Sequence, residues 1–150
     1  MIIQIFAILV LGLMCGSELN VAAFAHPALN RQSLQVHVPV RAALAAKLGQ
    51  VMPFWMVGSA LLNLLLLLPF VGLSRLAWRL AAVSFAIQLG AVAFSLVAPV
   101  PINNRIIKWT SENLPADWKN QEWRWDSYHF GRTIALIGAF GLLICSLAVR

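Results

Sequence analysis

Charge is scarce in this 150-residue sequence: 11% of the residues are charged, and only five are acidic. A soluble domain of this size carries about a quarter charged residues. A water-soluble fold could not cover its surface with so few, so lipid must face much of the chain. Cysteine is nearly absent as well. Cys15 and Cys145 lie far apart in apolar runs, with no C-x-x-C or Cys/His spacing, so the expectation is two free, buried thiols. No Gly-rich phosphate loop, nucleophile elbow or Ser/His/Asp pattern is present, which removes the usual signatures of nucleotide-dependent and hydrolytic enzymes. Internal repeats are missing too.

What the sequence does have is apolar length. Hydrophobic residues make up 61%, and the mean hydropathy is +0.81. Four apolar runs stand out, at about 2–25, 51–73, 80–100 and 131–149. Each is near the ~20 residues that cross the hydrocarbon core as a helix. The expected fold is therefore all-α, an integral membrane four-helix bundle in one domain, 1–150. A rival reading makes the first run a cleaved signal peptide, with Ala23-Phe24-Ala25 as the cleavage site. The run is long for that and no Lys or Arg precedes it, so a retained span is expected.

The connections differ in length. Gly72-Leu73-Ser74 makes a tight hairpin between spans two and three. Residues 40–50, between Pro39 and Pro53, suggest a short interfacial helix after span one. Residues 99–130 form a polar connection before span four that carries Trp109, Trp118, Trp123 and Trp125. Indole rings favour the headgroup level, which places this connection on the membrane surface. Pro115-Ala116-Asp117 marks a helix start that can run unbroken into span four. Gly12-Leu13-Met14-Cys15-Gly16 is a small-xxx-small pattern suited to close helix packing.

The formal net charge is +6. In a membrane protein such an excess sits near lipid headgroups and sets topology, so lipid rather than nucleic acid is the expected partner. The expected location is a bacterial inner (plasma) membrane. Basic residues nominally put the two longer connections in the cytoplasm, but acids dilute the second, and orientation stays open.

Few residues are left for chemistry. Glu18 is a carboxylate in a membrane helix, costly unless it faces a partner or a polar cavity. Trp125, His129 and Arg132 follow an i, i+4, i+7 spacing and form one helical stripe. Asp126, three residues before His129, is placed to orient its imidazole. His26 closes span one and Asn103 follows span three. The topology brings Glu18, His26, Asn103, His129 and Arg132 to one end of the bundle. His37 has no evident partner and reads as a loop residue. Glu18, His26 and His129 offer ligand types for a metal, but the Glu-x-x-His repeat of bundle metal sites is absent.

These motifs together resemble a family of small four-helix membrane proteins named after the anthrone oxygenases of polyketide pathways. The resemblance rests on Gly16-x-Glu18, His26-Pro27, Pro101-Ile102-Asn103 and Trp125-x-x-x-His129-x-x-Arg132, in that order along nearly the whole chain. It implies the four-helix membrane fold and oxidation of a lipophilic aromatic or phenolic substrate by oxygen without a conventional cofactor. In that chemistry Glu18 or His129 would act as base, Arg132 and Asn103 would stabilise the resulting oxyanion, and Trp125 would stack on a flat ring. His26 and Asp126 join the binding residues. The alternative is a non-catalytic membrane protein whose polar cluster binds a ligand or partner subunit, or holds the helices together.

Overall fold

The computed structural model describes residues 1–150. Four helices are long and apolar enough to cross a membrane: α1 (Ile2–Leu29), α2 (Leu34–Leu66), α3 (Arg75–Val97) and, last in the chain, α5 (Trp118–Ala148). A short helix, α4 (Pro99–Ile106), lies between α3 and α5. The four long helices form an up–down–up–down bundle, and the chain is an integral membrane protein. Its outer face is apolar, with Phe6, Leu13, Phe54, Leu96 and Val97 exposed for lipid.

Side-chain pairs fix the register of α1 against α5. Gln4 Nε2 donates to Ser146 Oγ at 2.9 Å near one end, and Glu18 meets Arg132 toward the other. Gly12 lies between them, where a Cβ would come within 2.8 Å of the Phe140 ring. The small-xxx-small pattern thus works at Gly12, whereas a Cβ on Gly16 would meet nothing. A chain of amides and hydroxyls ties α2, α3 and α5 together. Ser59 Oγ donates to Gln88 Oε1, Asn63 Nδ2 to Ser84 Oγ, and Ser84 Oγ to the Ala139 carbonyl. In lipid, where apolar burial gives little drive for association, such bonds and close packing hold helices together.

The hairpin after α2 forms as expected. A 3₁₀ turn at Pro69–Val71 leads to Gly72 in the left-handed region (φ +66°), and Ser74 Oγ caps α3 by accepting from Ala77 N–H. Other expectations shift. The segment 40–50 is helical but continuous with span two, because α2 runs through both Pro39 and Pro53. Proline removes one rung of a helix ladder, and neighbouring helices let membrane helices tolerate the loss. Cys15 is buried, but Cys145 is exposed and faces lipid rather than the core. Trp109 and Trp125 are buried in a second apolar cluster with Val38, Ile102 and Ile106, while Trp123 stands out on the surface. The helix expected from 115–117 is present, with Asp117 as its N-cap.

At ~1.5 Å per residue, α2 (33 residues) and α5 (31 residues) are about 50 Å long. That exceeds the ~30 Å hydrocarbon core. Their extra turns pack with α4 and the end of α1 into a cap at one end of the bundle, and the polar residues gather beneath and within it.

Candidate functional site beneath the helical cap

Glu18 and Arg132 form the centre of the site. Glu18 is 1% exposed. Arg132 Nη2 donates to Glu18 Oε1 at 2.8 Å and to Oε2 at 2.7 Å, and Arg132 Nε reaches Oε2 at 3.2 Å. Arg132 Nη1 donates to Ser95 Oγ at 2.8 Å, and that hydroxyl donates onward to the Ala91 carbonyl. A guanidinium fork matches a carboxylate in this way, and two opposite charges sharing hydrogen bonds make the pair tolerable in an apolar setting.

His129 is 3% exposed and both its nitrogens are engaged. Nε2 lies 3.0 Å from the Glu18 carbonyl, an acceptor only, so Nε2 carries the proton. Nδ1 then accepts from Arg132 Nη2 at 3.2 Å. The tautomer is therefore set by Glu18 and Arg132. Asp126, the residue expected to orient this ring, does not touch it. Trp125 stacks on His129 instead, with centroids 4.7 Å apart and planes at 14°. That stack takes up one face of the indole expected to receive a flat substrate ring.

Five of the seven expected site residues line one cavity of about 330 Å³: Glu18, Asn103, Trp125, His129 and Arg132. Its remaining wall is largely apolar and includes Met52, Met56, Val92 and Leu96. Two details of α2 shape it. Pro53 has no N–H to offer the Gly49 carbonyl four residues back, and both residues border the cavity. A Cβ on Gly49 would sit 3.0 Å from Asn103 Nδ2, which donates to the Ala45 carbonyl at 3.1 Å. Glycine at 49 thus lets Asn103 reach the backbone of α2.

His26 and Asp126 lie outside this cavity, behind the Trp125–His129 stack. His26 Nδ1 is 2.9 Å from Asp126 Oδ1, and Arg41 Nη2 donates to the same oxygen at 2.6 Å. Arg41 is 1% exposed, its Nη1 is 3.6 Å from Glu122 Oε1, and its guanidinium lies over Trp125. Glu122 Oε1 is 2.6 Å from His37 Nε2, whose Nδ1 donates to the Leu29 carbonyl. His37 is therefore a buried helical residue with two partners, not a loop residue. The result is a ladder between α2 and α5, His37 to Glu122 and Arg41 to Asp126, extended to His26 on α1. Because Nδ1 of His37 must donate, the His37–Glu122 contact holds a further proton on one partner or the other. The ladder is then neutral as a whole, as a buried charged group needs to be.

Ser95, Arg41 and Glu122 were not singled out from the sequence, and His37 was set aside as a loop residue. The signal was nonetheless present for three of them. His37/Arg41 is a basic i, i+4 pair and Glu122/Asp126 an acidic one, and that spacing faces both members of each pair the same way. No three His, Cys, Asp or Glu side chains are grouped to hold a metal ion. Glu18 and His26 are instead engaged with Arg132 and Asp126.

Residues 41–142 match the family model described as anthrone oxygenase. No curated protein and no solved structure matches the chain. The match spans more than half of the chain and includes Asn103, Trp125, Asp126, His129 and Arg132. The chain belongs to this family.

Proposed function

We propose that this member of the anthrone oxygenase family oxidises a lipophilic aromatic substrate with molecular oxygen in the cavity beneath the cap. The observation that carries the reading is a buried carboxylate, paired with a guanidinium, at the polar side of a cavity of about 330 Å³ whose remaining wall is largely apolar. A membrane helix retains such a charged pair where it faces a cavity with work to do. The sequence expectation of a bacterial plasma membrane location goes with this reading.

Glu18 is the base in this scheme: its Oε1 accepts one bond from Arg132 and keeps a further lone pair. The single lone pair of His129, on Nδ1, is turned to Arg132 Nη2, and Nδ1 lies 3.3 Å from Glu18 Oε2. The carboxylate takes a proton from the activated CH₂ of an anthrone-type ring. The electron pair left behind delocalises onto the ring carbonyl oxygen, which draws hydrogen bonds from Arg132 and Asn103. Arg132 thus stays beside one negative charge throughout, first on Glu18 and then on the substrate. The anion passes one electron to oxygen, and the two radicals combine through a C–O bond. Glu18 returns its proton to give the hydroperoxide. Loss of water, breaking the second C–H and the O–O bond, leaves the quinone carbonyl. One CH₂ and one O₂ give one C=O and one H₂O, a balance that needs no redox cofactor.

A second reading has its own support: Glu18, Arg132, Ser95 and His129 satisfy one another, as groups that only hold helices together would. Oxygen uptake by detergent-purified protein given anthrone separates the two. Uptake above buffer that is lost in Glu18→Gln and His129→Ala is the expected result. Equal rates for buffer, wild type and both variants would sink the oxygenase reading and leave the structural one.

A further inference from the structure

A second hollow of about 310 Å³ opens along the seam between the end of α1 and the start of α5, and of its lining it shares only His129 with the first cavity. His26 and Asp126 sit in its wall. His26 is buried, and its Nδ1–H donates to Asp126 Oδ1, which Arg41 also holds from behind. That hydrogen bond fixes the tautomer, so Nε2 bears the lone pair and makes no hydrogen bond within the protein. A carboxylate on one imidazole nitrogen and a free lone pair on the other is the arrangement that makes histidine a strong acceptor of a ligand proton. Of the two histidines bordering the hollow, His129 has no lone pair left to offer and His26 does.

The rest of the wall selects what the lone pair meets. Trp123 and Phe130 supply aromatic surface, and Asn30 and Ser127 are polar groups at the exposed rim. Asp126 repels an anion, while Arg41 and His26 already satisfy it and leave little to attract a cation. The ligand favoured by these terms is a neutral aromatic ring bearing one hydrogen-bond donor. We infer that the hollow between α1 and α5 is a second ligand site, in which His26 Nε2, held by Asp126, accepts the hydroxyl proton of a phenol. This inference does not rest on the oxygenase reading.

The probe is 4-nitrophenol, whose visible absorption changes when its hydroxyl proton moves toward a base. It is titrated into the detergent-solubilised full chain below the pH at which the free phenol ionises, with protein-free micelles as blank. Saturable binding is expected in wild type and in Glu18→Gln. Affinity falls about tenfold in His26→Phe, the loss of one well-placed hydrogen bond to a basic acceptor. Should that variant not fold, Ser127→Trp fills the hollow from its exposed rim while leaving His26 and Asp126 themselves in place, and it abolishes binding. No saturable change above the micelle blank would overturn the site. So would unchanged affinity in the folded His26 or Ser127 variants. Binding lost in Glu18→Gln but kept in His26→Phe would move the phenol to the first cavity and equally overturn it.

Discussion

Replacing Arg132 by methionine tests whether the Glu18–Arg132 pair is sealed from water. Methionine keeps much of the side-chain length but removes every hydrogen bond to Glu18, which is 1% exposed. Removing one partner of a buried pair costs about 3–5 kcal/mol, because the other charge stays behind unpaired. That is about two to nearly four powers of ten in the folding constant. In Glu18→Leu/Arg132→Met both charges go and apolar groups take their volume, a change that is often neutral or stabilising. His129 Nδ1 then loses its donor, at about 1–3 kcal/mol. Ser95 keeps its bond to the Ala91 carbonyl and loses little. The double variant should therefore lie within about 2 kcal/mol of wild type, well above Arg132→Met.

Unfolding by SDS in mixed micelles, followed by circular dichroism, reads these differences. A loss of less than about 1 kcal/mol in Arg132→Met would refute the reasoning. It would mean that water entering the cavity solvates the lone carboxylate. The same double variant separates the two functional readings: it should be stable yet take up no oxygen with anthrone.

Arg41→Met should destabilise the cap by about 3 kcal/mol, the low end of the range for a broken buried pair, since the Asp126 side chain is 29% exposed and keeps His26. The same unfolding assay checks it, and a neutral result would mean that the ladder contributes nothing. Gly16→Ala should stabilise by up to about 1 kcal/mol from helix propensity alone, with open space around its new methyl. Gly12→Ala should gain less than that, by about 1 kcal/mol, because Phe140 must move. Equal effects at the two glycines would show that the close approach at Gly12 carries no weight.

The spans were legible because four apolar runs of about 20 residues in a chain with so little charge leave no soluble fold that could cover them. Which face of a span looks inward was not, since lipid and bundle core are equally apolar. Cys145 is the instance: nothing in its neighbours separates a buried thiol from a lipid-facing one. Proline misled at 39 and 53, where it reads as a boundary in water but lies inside one long helix here. Breaking the chain at Pro39 also hid the ladder. Once 34–66 is one helix, His37 and Arg41 acquire a fixed face, and their pairing with Glu122 and Asp126 on the parallel helix α5 follows from spacing. The Trp125–His129–Arg132 stripe was readable because it lies on an uninterrupted helix with no such break.

One feature of α1 had no sequence signal and decides how the site is divided. Val21–Ala25 forms a π-helical turn, with the His26 N–H reaching back five residues to the Val21 carbonyl. In a regular α-helix, residues eight apart such as Glu18 and His26 point about 80° away from each other. A wider turn of five residues cancels most of that rotation. Both side chains then face α5, where Arg132 and Asp126 meet them. The apolar run Val-Ala-Ala-Phe-Ala gives no hint of the extra residue per turn. Without it His26 would swing off the seam and Asp126 would lose its imidazole. The π turn, rather than any residue the sequence advertises, is what places a free imidazole nitrogen beside the bundle as well as a carboxylate inside it.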